Sequence, residues 1–328
     1  MIKKISIAMV SVASLLAVAG ENMNGGVWYD DNGYHINAHG GGILKDGDGW
    51  YWFGEHKIYG DFGNRAFVGV HCYSSENLVD WTDCGIALSV TNAVGHDIEA
   101  GCIIERPKVV RNAKTGKYVM YFHLELKDKG YKEARVGIAV ADKVAGPYTF
   151  LKSLRPNGYQ SRDQTLFVDN DGAAYHFFSS NHNKTMRIIR LSDDYLSHTD
   201  KEAIMADGDK TEAPAICFKD GWYFLIGSGC TGWMSNPARS YRARSIMGPW
   251  ERLDNPCKRI NPANGLGPER TWGGQSTFIL KISDDDYLAM FDEWRPKNAI
   301  DGRYFWVPIK FTADGKVEIP WKDKVEER

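Results

Sequence analysis

The chain has 328 residues, 43% hydrophobic and 25% charged, a composition that excludes disorder over most of its length and gives room for one large domain or two ordinary ones. Forty Lys and Arg against 42 Asp and Glu leave a formal net charge of -2, which offers no general attraction to a phosphate backbone or an anionic membrane, so no nucleic-acid partner is expected. Eleven Trp, 16 Tyr and 14 Phe beside 34 Gly, with only short hydrophobic runs, point instead to many β-strands joined by tight turns.

At the N-terminus, Lys3 and Lys4 precede an apolar stretch from Ile5 to Leu16, and Ala17-Val18-Ala19 follows as a small-residue cleavage pattern. This reads as a signal peptide over residues 1–19, too short and wrongly flanked for a membrane span. The expected product is exported, periplasmic or extracellular, and begins near Gly20 with no membrane span after processing. Six cysteines (Cys72, Cys84, Cys102, Cys217, Cys230 and Cys257) are scattered without C-x-x-C spacing. Export permits disulfides between them, but neither a zinc site nor any other metal or cofactor is expected.

In the rest of the chain a Gly/Asp-rich turn followed by an aromatic-rich strand recurs five times: Asp48 to Phe53, Gly116 to Phe122, Asp171 to Phe178, Asp220 to Leu225 and Asp284 to Phe291. Apolar strands precede them (Gly41 to Leu44, Pro107 to Val110, Thr165 to Val168, Pro214 to Phe218, Ser276 to Leu280), so each unit opens as a hairpin. A period of roughly 45 to 65 residues with about four strands per unit predicts an all-β, five-bladed β-propeller rather than a sandwich or solenoid. Residues 20–328 are expected to form this single domain, with side chains from every blade converging on a central depression.

The polar residues at the hairpins share a register. Glu55 ends the second strand of the first unit, while Glu105, Asp163 and Glu212 open the second, third and fourth; Gln275 stands at that place in the fifth. Carboxylates crowded at one depression raise one another's pKa, which keeps one of them protonated as a general acid.

The strings Ala38-His39-Gly40-Gly41-Gly42-Ile43-Leu44, Tyr51-Trp52-Phe53-Gly54-Glu55, Glu105-Arg106-Pro107-Lys108-Val109, Ser161-Arg162-Asp163, Glu212-Ala213-Pro214, Thr231-Gly232-Trp233, Trp294-Arg295-Pro296 and Arg303-Tyr304 resemble, in order, those of glycoside hydrolase family 43, and within it the exo-β-1,3-galactanases that trim arabinogalactan. The resemblance runs from near Asn37 to about Pro308. It implies an inverting exo-hydrolase releasing galactose from a plant-type β-1,3-galactan. By the same resemblance Glu212 is the general acid, Asp163 holds its pKa and orients the sugar, and Glu105 fixes the nonreducing sugar or the water. The family's usual first-blade Asp is absent from Ala38-His39-Gly40-Gly41, and the galactanase branch implies Gln275 as the base, acting as an imidic-acid tautomer. The residues alone agree only that an acid and a water-activating group must flank the sugar; they leave Gln275 and Glu105 both open as that group.

Gly273-Gly274 and a long Asn261 to Arg270 stretch depart from the galactanase pattern, and related branches remove α-L-arabinofuranose, β-xylose or β-galactofuranose. An arabinofuranosidase or xylosidase therefore stays open as an alternative, as does a sugar-binding propeller that does not cut. Glu55, Tyr131, Asn181, Thr231, Trp233 and Trp272 are the candidate sugar contacts, their hydroxyls and amides suiting ring hydroxyls and their indole faces suiting C–H faces. His39 reads as a satisfied core histidine rather than a channel ligand. A monomer is expected.

Overall fold

The structure, a computed structural model, describes residues 22–328; the expected signal peptide lies outside the described residues. Asp/Gly turns set the hairpins. At Asp220-Gly221 both residues take positive φ, 51° and 76°, the requirement of a type I′ turn whose twist matches the flanking strands.

The first sheet contains β1 (His39–Asp46), β2 (Gly49–His56), β4 (Gly69–Ser75) and β5 (Thr82–Ser89), while β3 (Arg65–Ala66) crosses to the next blade. There it pairs with β6 (Cys102–Arg111), followed by β7 (Tyr118–Glu125), β8 (Arg135–Ala141) and β9 (Thr149–Leu154). The third sheet is β10 (Gln164–Val168), β11 (Ala174–Ser180), β12 (Thr185–Leu191) and β13 (His198–Asp207), and the fourth is β14 (Thr211–Lys219), β15 (Trp222–Gly229), β16 (Arg239–Ala243) and β17 (Glu251–Leu253). After β18 (Cys257–Lys258) come β19 (Gln275–Lys281), β20 (Tyr287–Glu293) and β21 (Arg303–Pro308) as a fifth sheet. The chain ends in β22 (Lys310–Phe311) and β23 (Val317–Pro320), which join β18 in a sixth, in the order β18-β23-β22.

The expected count of five blades is thereby corrected: the strands form six sheets, a six-bladed β-propeller. The sixth was missed because its strands are only two to four residues long. Moreover β18 pairs with β23 in parallel, a contact that no local hairpin signal announces.

Five of the six sheets bring a strand to the axis: β1, β6, β10, β14 and β19 pack against one another in that order, with β19 returning to β1, while the short sixth sheet packs through β23 against β21. Aromatic packing fastens that last junction. Trp28 meets Trp52 and Trp306 with ring centroids 6.1 and 5.0 Å apart, and the Tyr304 hydroxyl donates to Ile36 O while accepting from Ala38 N. His39 is buried and stacks on Tyr304. Burial holds its pKa well below the ordinary value, so its ring is neutral. Among the described residues no helix is long and apolar enough to cross a membrane.

Candidate active site

The same local geometry delivers the polar groups to the axis blade after blade. The hairpin register shifts just beyond His39, Glu105 and Glu212, and such bulges bend a strand and re-aim its side chains. The residue that follows each of these has left-handed φ: 61° at Gly40, 55° at Arg106 and 55° at Ala213. A carboxylate of the preceding blade receives each resulting N–H. Arg106 N donates to Glu55 Oε1 at 2.9 Å and Ala213 N to Asp163 Oδ2 at 3.0 Å, while Gly40 N donates to Asp292. Glu55 and Asp163 therefore offset strain in the ring as well as lining its cavity.

That cavity has a volume of about 280 Å³ and brings together Glu55, Glu105, Asp163, Glu212, Gln275, Tyr131 and Trp233. Asn181, Thr231 and Trp272 do not line it. Asn181 is exposed in the β11–β12 turn. Thr231 is also exposed, its hydroxyl bonded within its own turn to Met234 O and Asn236. Trp272 is fully buried between Phe291 and Trp321, with Nε1 donating to Arg259 O. It is a core residue, so its place as a sugar contact is corrected: at φ 57° the backbone turns the indole inward.

Glu212 is almost enclosed. Burial first, and then the negative charge of Asp163, push its pKa up to about 8, against the opposing pull of Cys230, Arg106 and Gln275. Asn183 Nδ2 donates to its Oε2 at 3.0 Å and Gln275 Nε2 to its Oε1 at 3.1 Å. The Gln275 amide is fully occupied: Nε2 also donates to Ser228 Oγ at 2.9 Å, and Oε1 accepts from Arg106 Nη2 at 2.5 Å and Trp294 Nε1 at 2.8 Å.

Glu105 has the opposite environment. Burial alone would raise its pKa, but the His123 cation and hydrogen bond, the Tyr131 hydroxyl and the Lys57 charge together bring it down to about 2. Nδ1 of His123 lies 2.6 Å from Glu105 Oε2 and Nε2 lies 3.0 Å from Glu125 Oε1. Burial disfavours the imidazolium, yet the two carboxylates raise the His123 pKa to about 9. The Tyr131 hydroxyl donates to Glu105 Oε1 at 2.5 Å, and Asn64 donates to the same oxygen. Glu55, wholly buried, pairs with Lys57, and burial raises its pKa.

Arg106 is the hub that the sequence reading left without a role. Its guanidinium reaches Gln275, Asp163 (3.2 Å) and Ser276 O (2.9 Å), and lies over the Trp294 ring. His123, Asn183, Asn64 and Trp294 were likewise missed. A usable signal existed for His123, because it shares one strand face with Tyr121 and Glu125 in a strand buried throughout. Glu105, His123 and Asp163 also offer three ligand atoms within 4.8 Å of one another. With His123 protonated between carboxylates and Asp163 occupied by Arg106, the set suits hydrogen bonding better than a cation.

Comparison with known proteins matches the chain to a family. The model described as glycosyl hydrolases family 43 matches residues 40–317. A family-43 β-1,3-galactosidase solved with galactodeoxynojirimycin is 44% identical with a TM-score of 0.87, over 92% of this chain and 99% of that one. The exo-β-1,3-galactanase of Phanerochaete chrysosporium, solved as a variant with β-1,3-galactotriose, is 36% identical with a TM-score of 0.82; the match covers 93% of this chain and 68% of that one. The corresponding enzyme of Clostridium thermocellum is 34% identical with a TM-score of 0.81, over 92% of this chain and 65% of that one. Xylosidase/arabinosidase 43A of Humicola insolens is 42% identical over only 66 residues, 20% of this chain and 19% of that enzyme.

Proposed function

Because the chain belongs to glycosyl hydrolase family 43, and is thus a glycoside hydrolase, we propose that it is an inverting exo-β-1,3-galactosidase releasing galactose from the nonreducing end of β-1,3-galactan. The observation that carries the reading is the Glu212 carboxyl, held protonated to about pH 8 at the wall of a small cavity. The volume of about 280 Å³ lies at the low end of small-molecule sites, roughly 300–1,000 Å³, which favours one terminal sugar over a threaded chain. Galactose is favoured over arabinofuranose or xylose because the similarities at 34–44% identity that cover 92–93% of this chain are to β-1,3-galactosidases and galactanases, whereas the xylosidase/arabinosidase match is short.

In this mechanism Glu212 protonates the departing glycosidic oxygen. Asp163, anchored by Arg106 and by the Ala213 N–H, supplies the negative charge that keeps that proton on Glu212 until it is needed. Glu105, ionised down to about pH 2, is a poor proton acceptor and a good acceptor for sugar hydroxyls, so it orients the terminal sugar with Tyr131 beside it. Gln275 activates the water. Its oxygen already accepts from a guanidinium and an indole N–H, which stabilises negative charge on oxygen. An inverting pair needs room for a water, about 6.5–9.5 Å between carboxyls, so the 3.1 Å bond from Gln275 to Glu212 opens when sugar binds.

We assign the substrate to arabinogalactan-type polysaccharides and place the enzyme, a monomer, outside the cytoplasm; the basic and apolar pattern of residues 3–19 supports export. Incubation with β-1,3-galactobiose and galactotriose beside aryl α-L-arabinofuranosides and β-xylosides tests the reading. Galactose release from the first two is expected, and release only from the pentosides would overturn it.

A further inference from the structure

Two thiols face each other across the outer strands of the first blade. In the β4–β5 pair His71 is opposite Ile86 and Tyr73 is opposite Asp83, so Cys84 and Gly85 together stand against Cys72 in a bulge. Cys84 Sγ donates to Ser74 Oγ at 3.2 Å, and Ser74 shares its strand face with Cys72, because side chains two apart point the same way. The two sulfurs are close enough for the Cys72 S–H to bear on the Cys84 thiolate. The flanking pairs His71–Ile86 and Tyr73–Asp83 are directly opposed, which in an antiparallel ladder puts Cα atoms about 4.5–5.5 Å apart, and so hold the bulged Cys72 and Cys84 near the roughly 4.4–6.8 Å that a disulfide spans.

The environments of the two sulfurs differ in a way that orders the chemistry. Cys84 is exposed, whereas Cys72 is buried with Phe53, Val70 and Ala87. The hydrogen bond from Cys72, outweighing partial burial, brings the Cys84 pKa down to about 6, and the same bond followed by burial pushes that of Cys72 up. Near neutral pH the accessible sulfur is thus the nucleophilic one. The other four cysteines lack such a partner: Cys102, Cys217 and Cys257 are buried free thiols, and Cys230 stands at the active-site cavity.

We propose that Cys72 and Cys84 form a dithiol modification site, which small-molecule disulfides oxidise to a cross-strand disulfide between β4 and β5. The Cys84 thiolate attacks one sulfur of RSSR, forming a mixed disulfide and expelling RS⁻. Cys72 then gives its proton to the expelled thiolate and attacks the Cys84 sulfur, expelling the second RS⁻, which takes a proton from water. Two protein thiols lose two electrons in all, and one RSSR becomes two RSH. The new bond clips the turn that carries Trp81 into the aromatic core of the first sheet.

Oxidised glutathione is the probe, applied to the folded full chain near neutral pH and followed by alkylation, intact mass and peptide mapping. The expected product links the peptides of Cys72 and Cys84, with the mass of two hydrogens lost, and its unfolding temperature rises by several degrees until reductant is added. Cys84→Ser, at an exposed position, keeps the fold and loses both the link and the temperature shift. Glutathione retained on Cys84 as a stable mixed disulfide, or alkylation of both thiols undiminished after oxidation, would overturn the proposal. Neither outcome bears on the hydrolase reading.

Discussion

Gln275 donates its side-chain N–H to Glu212 across 3.1 Å, so the group assigned to water and the group assigned to the leaving oxygen touch before any sugar arrives. The bond lowers the Glu212 pKa, and removing it should move that pKa further up. Gln275→Ala is expected to reduce kcat on every substrate, including aryl galactosides with good leaving groups, because water attack is required whatever departs. Its basic limb in the kcat/KM profile, which reports the free enzyme, should also shift to higher pH. An unchanged kcat at saturating substrate would remove Gln275 from water activation.

Glu212→Gln should lower turnover of β-1,3-galactobiose by about a hundredfold or more, and that of an aryl galactoside much less. In the unaltered enzyme, activity on the disaccharide should fall as pH rises through about 8, where Glu212 loses its proton. Stability follows the same sign. The folded state holds this proton between the ordinary 4.5 and about 8, so the contribution is complete below that window and is lost as pH rises across it. Thermal unfolding of Glu212→Gln against the parent, scanned over pH, checks the second point.

His123→Ala leaves Glu105 and Glu125 buried without the cation between them. Breaking a buried pair costs about 3–5 kcal/mol, read as a large drop in denaturant midpoint, and KM should rise as Glu105 loses its fixed position. The pH window has two ends in the parent. The depressed Glu105 contributes stability above 4.5 that is lost as pH falls through about 2, and the raised His123 contributes stability below 6.5 that is lost as pH rises through about 9. A variant as stable as the parent at neutral pH would refute the ion pair's part in the fold.

Proton NMR of the first sugar released from a β-galactoside should show the α-anomer, as inversion requires. The β-anomer appearing first would mean a retaining route.

Two tryptophans separate packing from binding. Trp272→Ala should cost about 3–5 kcal/mol of stability with KM little changed in the fraction that folds. Trp233→Ala, at a ring 43% exposed on the cavity wall, should do the reverse. Calorimetry and steady-state kinetics on both variants distinguish the outcomes.

The hairpins were readable because Asp/Gly turns and aromatic strands are local signals, and Glu105, Asp163 and Glu212 were readable as a set because each sits at the same end of its axial strand. What local sequence does not carry is proximity between blades. Arg106 stands one residue from a candidate acid, yet its value lies in reaching Asp163, Gln275 and Trp294 across the ring. Asn183 rather than Asn181 meets Glu212 because the β11–β12 turn runs through three consecutive left-handed residues, Asn181, His182 and Asn183. The sixth sheet escaped for the same reason as Arg106: its parallel pairing joins β18 to strands far along the chain.

The capping of each left-handed N–H by a neighbouring blade bears on whether the first blade has room for a carboxylate base. A Cβ placed on Gly40 would fall on Oε1 of Glu55, and one on Gly41 would fall on the Phe53 carbonyl. One on Gly42 would come within 2.8 Å of Lys108 Cδ. Gly40 is thus closed to any side chain while Glu55 serves Arg106, and Gly41 is closed by the backbone beside it. An aspartate at Gly40 would first have to displace the Glu55 anchor of the arginine that holds Gln275, so the amide and that glycine are committed to each other.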